Sequence, residues 1–295
     1  MSVTSANISE GGSIELGGSA TRKRRSLSLS AMIGGTIVAA VVVAALLSFV
    51  WTPYNPVQVD AASRFLSPSG EHWLGTDALG RDVFSNLLAG ARIALLVGLI
   101  TVGVGGLIGV PLGVFAAMSS GFVSVVAEKV IDLLLVFPAL LLAIAFGSIW
   151  GSSTQTAMLA IGIAVAPGFA RLARAGTLQV LSSEYVMAAR VAGHGRLSIV
   201  VRHVLPNISG ILLVQASVVY GVAVLAESGL SFLGFGTTPP TPSWGLMLQQ
   251  AQTALSSHPL LSLWPAGAIC VAVLGFNLLG DGLRDHFDPR LDDRR

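Results

Sequence analysis

A chain of 295 residues that is 53% hydrophobic and 11% charged, with mean hydropathy +0.77, carries more apolar surface than a soluble core can bury. Its long Ala/Val/Leu/Ile/Gly runs have the length of about 20 residues that a helix needs to cross a bilayer, and they lack the short alternation of barrel strands. The fold class that follows is all-α, an integral membrane helical bundle. The single cysteine, Cys270, excludes an intrachain disulfide and reads as a small buried apolar residue.

In chain order, residues 1–30 are Ser/Gly-rich and end in Arg22, Lys23, Arg24 and Arg25, which predicts a disordered tail. Six spans follow, at roughly 31–51, 92–118, 132–150, 155–174, 207–229 and 262–281. The run 31–51 is long enough to span and has no convincing small-residue cleavage site, so it reads as an uncleaved first helix. Segment 52–91 is rich in Pro and Gly. Within its last part, Val83, Phe84, Leu87 and Leu88 form an apolar stripe that predicts a helix lying along the membrane. Residues 92–281 form the core membrane domain, interrupted by a polar loop at 175–206, and 282–295 is a polar tail.

Inside the spans, Gly98, Gly103, Gly105, Gly106 and Gly109 suggest one small-residue face for close helix packing. Pro111, Pro138, Pro167 and Pro265 are candidate kinks. With the N-terminus inside, fourteen Lys and Arg fall in cytoplasmic segments, and only Arg64, Arg81 and Arg92 fall outside. The positive-inside rule therefore places both termini and the 175–206 loop in the cytoplasm. The net charge of +2 is accounted for by these topology determinants and requires no nucleic acid.

The loop itself has local order. Ser182 or Ser183 can cap a helix over 184–192, Glu184 suits its positive end, and Gly193 can close it in the left-handed conformation. A second periodic run, Leu197 to Leu205, leads to Pro206, which can start the next span. Val186, Ala188, Ala189 and Val191 are small enough to admit a partner's backbone, with Tyr185 and Met187 as adaptable contacts. The short helix reads either as a docking knob or as an amphipathic helix resting on the inner leaflet, its arginines facing lipid phosphates.

Ala188-Ala189, three residues, Gly193, nine residues, then His203-Val204-Leu205-Pro206 resembles the EAA-loop signature of permease subunits of bacterial ABC importers. Met187 replaces the signature's glutamate and His203 its isoleucine, while Glu184 supplies a carboxylate one turn earlier. His72 to Arg92, Leu225 to Leu248 and Leu279 to Arg290 are similar to the C-type permeases of dipeptide, oligopeptide and nickel importers, so the resemblance covers residues 31–290. It implies the type I importer permease fold in the bacterial inner membrane, surrounded by lipid. The implied assembly contains a second homologous permease, two cytoplasmic ATPase subunits and an extracytoplasmic solute-binding protein. It further implies that Glu184, Tyr185, Ala188, Ala189, Arg190, Gly193, His203, Leu205 and Pro206 couple to the ATPases. Arg81, Asp82 and Trp244, in the outer segments 52–91 and 230–261, are the expected docking residues for the binding protein.

The chain has no G-x-x-x-x-G-K-S/T phosphate loop, so it is expected to bind no cofactor of its own and to catalyse nothing, with ATP and Mg held by the ATPase partners. A membrane-enzyme reading would pair Ser231 with His258 in the outer loop, but Ser231 is followed by Phe232 and not by the glycine of a G-x-S-G turn. His72, His194, His203, His258 and His286 are all expected in loops or tails, with no intramembrane metal ligand set. The resemblance implies dipeptide or oligopeptide import, with nickel or another small solute as the alternative.

Overall fold

A computed structural model describes residues 28–287. The tail with Arg22–Arg25 and the residues from Asp288 onward lie outside the described residues. The described chain is helical, its one β feature being an isolated bridge between Thr76 and Asp82. The helices are α1 (Leu29–Val50), α2 (Val83–Met118), α3 (Phe122–Val136), α4 (Ala139–Trp150), α5 (Thr154–Leu181), α6 (Glu184–Val191), α7 (Arg196–Ile199), α8 (Leu205–Phe232), α9 (Trp244–Ala251) and α10 (Leu260–Phe287). Five stretches are long and apolar enough to cross a membrane: α1, α2, α5, α10 and the continuous run Arg196–Phe232. The bent pair α3–α4, counted as one span, completes the expected six.

Several boundaries differ from the sequence reading for identifiable reasons. The interfacial helix expected over 81–91 is not separate: α2 is one rod of 36 residues, roughly 54 Å at 1.5 Å per residue, and it projects beyond a hydrocarbon core of about 30 Å. Nothing between Val83 and Arg92 breaks it, and Leu88, Ala89 and Ala91 are buried in protein. The third span starts ten residues early, because Glu128 and Asp132 are helical residues paired with Arg174 and Arg171 of α5, at 2.9 and 2.8 Å. It then breaks by 81° at Phe137-Pro138. Phe137 is extended, as a residue before proline prefers, and Pro138 opens α4. The 175–206 loop is also shorter than expected, since α5 continues to Leu181.

Pro206 lies in the first turn of α8, as expected, but α8 does not begin afresh there. α7 runs into a π turn over Val200–Val204 and thence into α8, giving 37 continuous residues. Proline lacks an N–H and crowds the carbonyl four residues before it, and a widened turn just upstream accommodates both defects. Leu205 N–H accordingly bonds Val200 O, five residues back.

Close packing rests on small residues, though not on one face. Gly105, Gly109 and Gly113 of α2 abut α5 at Gly162, Ala166, Phe169 and Ala170. Gly98 instead faces the Tyr220 ring of α8, and Gly103 and Gly106 face open space. On the other side of the bundle, Gly34 meets Leu278 and Leu279, Gly275 meets Ile37, and Gly282 meets Ala31. The start of α1 therefore adjoins the end of α10, and Phe287 reaches Gly210 near the start of α8. Both ends of the described chain and the α6 loop thus share one face, as an even number of crossings requires. Cys270 is exposed on the outside of α10 and not buried as expected.

The α2–α5 contact predicts a contrast between neighbouring glycines. A side chain at Gly109 would run into the Ala166 carbonyl and sit 2.7 Å from Phe169 Cβ, whereas one at Gly106 meets nothing. Gly109→Val should cost about 1–3 kcal/mol by overpacking and lower the unfolding temperature of the detergent-solubilised protein. Gly106→Ala should leave it unchanged. Equal melting of the two variants would refute the seam.

Candidate functional site

The 175–206 loop is built by the end of α5. Ser182 Oγ donates to Gln179 O at 2.8 Å and Ser183 Oγ to Val180 O at 2.6 Å, so both expected caps turn back to satisfy α5's last carbonyls. Ser183 holds the N-cap position of α6 by backbone alone. Glu184 lies in the first turn and Arg190 in the last, each favourable to the helix dipole. The helix stops at a Schellman motif: Gly193 has φ 85°, its N–H bonds Arg190 O at 3.0 Å, and His194 N–H bonds Ala189 O at 3.1 Å.

The small residues of α6 divide between two faces. Val186 and Ala189, one turn apart, are both buried, Val186 in a cluster with Val114, Ala173, Ile199, Val204 and Ile208. Tyr185, Met187, Ala188, Arg190 and Val191 point away from the bundle and are exposed, Val191 by 90%. Leu197 adds a further apolar residue with 76% exposure. His203 lies in the π turn, its ring centroid 6.0 Å from Tyr185 and 6.3 Å edge-on from His194. Leu205 is half-buried in the same apolar cluster and Pro206 is exposed. Two histidines expected apart in loops are therefore neighbours, and His203 and His286 are helical. No group of three or more potential metal ligands exists among the described residues.

The outer residues expected to dock a partner are inside the protein. Arg81, Asp82 and Trp244 are 7%, 3% and 5% exposed. Arg81 Nε donates to Asp77 Oδ2 at 2.7 Å and its Nη2 reaches Gln250 Oε1 of α9. Asp82 caps α2, accepting from Ser85 N–H at 2.8 Å and Ser85 Oγ at 2.7 Å, while its other oxygen meets His72 Nδ1 at 2.9 Å. The Tyr54 ring lies tilted against His72, centroids 4.5 Å apart, and its backbone N–H donates to Ser85 Oγ. Trp244 Nε1 donates to Leu87 O at 2.9 Å, with its ring filling the space a side chain at Gly90 would take. These side chains brace a platform whose exposed apolar residues are Trp73, Val57, Val59, Leu66, Leu79 and Leu255. Between Asp77, Arg81, Asn86, Met247, Gln250 and Leu261 the platform encloses a cavity of about 220 Å³. At its edge Asp60 caps a short turn: the Ser63 hydroxyl, then Ala62 N–H, hold its carboxyl below its ordinary value.

One polar cluster was not anticipated. Glu227 of α8 is buried, accepting from Ser231 Oγ at 2.5 Å and Thr237 Oγ1 at 2.8 Å, and Thr154 Oγ1 of α5 donates to Thr237 Oγ1 at 3.0 Å. Ser231 is therefore a helical, fully buried partner of a carboxylate. His258 stacks on Phe65 at 4.5 Å, so the two do not form a dyad. The signal for the cluster was present as Glu-x-x-x-Ser, an i, i+4 pair on one helix face.

The family model described as "Binding-protein-dependent transport system inner membrane component" matches residues 109–293. The chain is 37% identical over 261 residues to a dipeptide transport system permease protein of Alkalihalophilus pseudofirmus, covering 88% of this chain and 86% of that one. It is 42% identical over 224 residues to a glutathione transport system permease protein of Pectobacterium atrosepticum, covering 76% and 74%. A nickel transport system permease protein of Escherichia coli is 36% identical over 261 residues, covering 86% and 92%. Among solved structures, a chain of the inward-facing MetNI methionine ABC transporter superposes with TM-score 0.58 at 17% identity, covering 69% of this chain and 96% of that one.

The platform geometry gives a prediction of its own. Asp82→Ala removes a helix cap worth about 0.5–2 kcal/mol and leaves His72 and Ser85 without their acceptor. Amide hydrogen exchange across 52–82 should accelerate by roughly tenfold, the factor that corresponds to about 1.4 kcal/mol, while α5 and α10 exchange as before. Unchanged exchange in 52–82 would show that Asp82 does not hold the platform.

Proposed function

Since the chain belongs to the family of binding-protein-dependent transport inner membrane components and has the type I ABC importer permease fold, we propose that it forms half of an import path for dipeptides or oligopeptides. It is a multi-pass inner-membrane protein. In this reading a second, homologous permease supplies the other half of the path. Two cytoplasmic ATPase subunits bind ATP and Mg, and an extracytoplasmic protein delivers the solute. The peptide assignment draws on the dipeptide relative, the glutathione relative, whose solute is a small peptide, and the "putative peptide permease" proteins of Brucella at 38% identity. Nickel is the second reading, on the strength of the Escherichia coli relative.

The observation that carries the coupling role is the way α6 is held. Its inner face, Val186 and Ala189, is buried in the bundle, and its outer face leaves Tyr185, Met187, Ala188, Arg190 and Val191 exposed. An exposed apolar patch rimmed by charge on a cytoplasmic surface suits a protein partner. Glu184 and Arg190 offer it charges of opposite sign, and Gly193 fixes the angle at which the helix stands. Leu205 and Pro206 then carry the contact into α8, with His203 packed beneath Tyr185. The solute itself is identified by purifying the assembled importer with its binding protein and determining the bound ligand. A bound metal ion in place of a peptide would overturn the peptide reading.

Gly193 supplies the test of coupling. A β-branched residue at φ 85° is disfavoured by about 1–2 kcal/mol, and a side chain there meets no neighbouring atom, so the strain is purely conformational. Gly193→Val should assemble normally yet lower uptake per complex by roughly five- to thirtyfold, with loaded binding protein still bound. Gly193→Asn, which tolerates the left-handed region, should recover most of the loss. Full uptake by Gly193→Val at equal subunit content would falsify the coupling assignment.

A further inference from the structure

Arg92 differs from the arginines of α5 in how its charge is met. Arg171 and Arg174 in α5 each pair with a carboxylate of α3. Arg92, in α2, has no carboxylate partner among the described residues. Its Nε donates to the buried Ser48 Oγ of α1 at 2.6 Å, and its guanidinium carbon lies 4.3 Å over the Phe49 ring. These two contacts fix the height and plane of the fork. Neither terminal nitrogen has a protein acceptor among the described residues, and Arg92 is one of the residues lining a shallow, open groove of about 410 Å³ between the end of α1 and the first residues after it. Trp51, Thr52, Tyr54 and Asn55 line the remaining wall.

The groove lies where the apolar helix α1 gives way to a polar segment on the outer side. Directly along α1 from it, Val43, Leu46, Leu47 and Val50 form a stripe at i, i+3, i+4 and i+7 that is bare of protein, with Val50 89% exposed. A ligand that fits must therefore place an anion on a planar two-pronged donor and a hydrocarbon chain on the stripe below. Guanidinium groups match phosphate oxygens bidentately, and Trp and Tyr favour the headgroup level. We propose that this groove binds the phosphate headgroup of an outer-leaflet phospholipid, with one acyl chain lying along α1. The favoured occupant is a lipid and not a partner's carboxylate, because Val50 both lines the groove and ends the bare apolar stripe.

The test is photo-crosslinking in the assembled transport complex with Trp51→p-benzoylphenylalanine. The complex is reconstituted in nanodiscs holding equal amounts of phosphatidylglycerol and phosphate-free monogalactosyldiacylglycerol, and the adduct on this chain is identified by mass. Phosphatidylglycerol should be captured in preference by about fivefold, as expected for one arginine at a membrane surface. Arg92→Gln should abolish the preference and Arg92→Lys should retain part of it. Equal capture of both lipids by the wild-type side chain at position 92 would overturn the proposal, as would an adduct to a protein subunit. Loss of the preference in excess inorganic phosphate would assign the site to free phosphate and overturn the lipid. Should Arg92→Gln fail to assemble, the lipid ratio and the phosphate competition with Arg92 present decide the matter alone.

Discussion

The close approach of α2 and α5 is the contact on which the other helices depend. Lipid offers no hydrophobic drive for helices to associate, so packing has to come from dispersion between surfaces that fit. Gly105, Gly109 and Gly113 bring the α2 backbone against Gly162, Ala166 and Ala170. At the inner end of this seam, Val114 and Ala173 form the floor on which Val186 of α6 and Ile199, Val204 and Ile208 of the returning helix rest. At the outer end, Asp82 and Trp244 tie the start of α2 to segment 52–82 and to α9. A shift in the seam would therefore move both the cytoplasmic loop and the outer platform.

Charge is handled differently at the two ends, for reasons of solvation. Near the inner side, Glu128–Arg174 and Asp132–Arg171 join α3 to α5 across partly exposed surfaces. Such pairs gain little energy in water, but they allow helical segments carrying charge to lie close to lipid without a bare ion. Towards the outer side the carboxyl groups of Asp82 and Glu227 are buried, and each accepts from hydroxyl or N–H donors of nearby segments. A buried carboxylate needs all its acceptor positions met, which fixes the segments that supply the donors.

How much of this was legible in the sequence follows from how local each feature is. The helix 184–191 and its glycine stop could be read directly, because capping chemistry involves residues two to five positions apart. The six spans were legible from their apolar length. Their ends were not: the third span begins earlier than its apolar run because Glu128 looks like a loop residue until its pairing with Arg174 across α3 and α5 is seen. The burial of Arg81 and Trp244 was equally hidden, since Gln250 lies 169 positions from Arg81 and Leu87 lies 157 from Trp244. Two exposed-looking residues in a Gly/Pro-rich segment gave no local sign of partners so distant. The bend at Pro138 was readable as a kink, while its 81° depends on what α3 and α4 pack against.

The run Arg196–Phe232 joins these observations mechanically. At 1.5 Å per residue its 37 residues measure roughly 55 Å, from the face that carries α6 to the Glu227 cluster on the far side. Its inner end is fixed by Ile199, Val204 and Ile208, and its outer end by the Ser231, Thr237 and Thr154 hydroxyls around Glu227. An uninterrupted helix transmits displacement along its axis far better than a loop, and its least regular turn is the π turn at Val200–Val204. That turn lies between α6 and the membrane portion of the helix, upstream of Pro206. Any movement imposed on α6 must therefore either be absorbed in those five residues or reach the outer polar cluster. The burial of Ile199 just before the turn and of Val204 at its end restricts the first outcome, which makes the helix a stiff link between the two faces of the bundle.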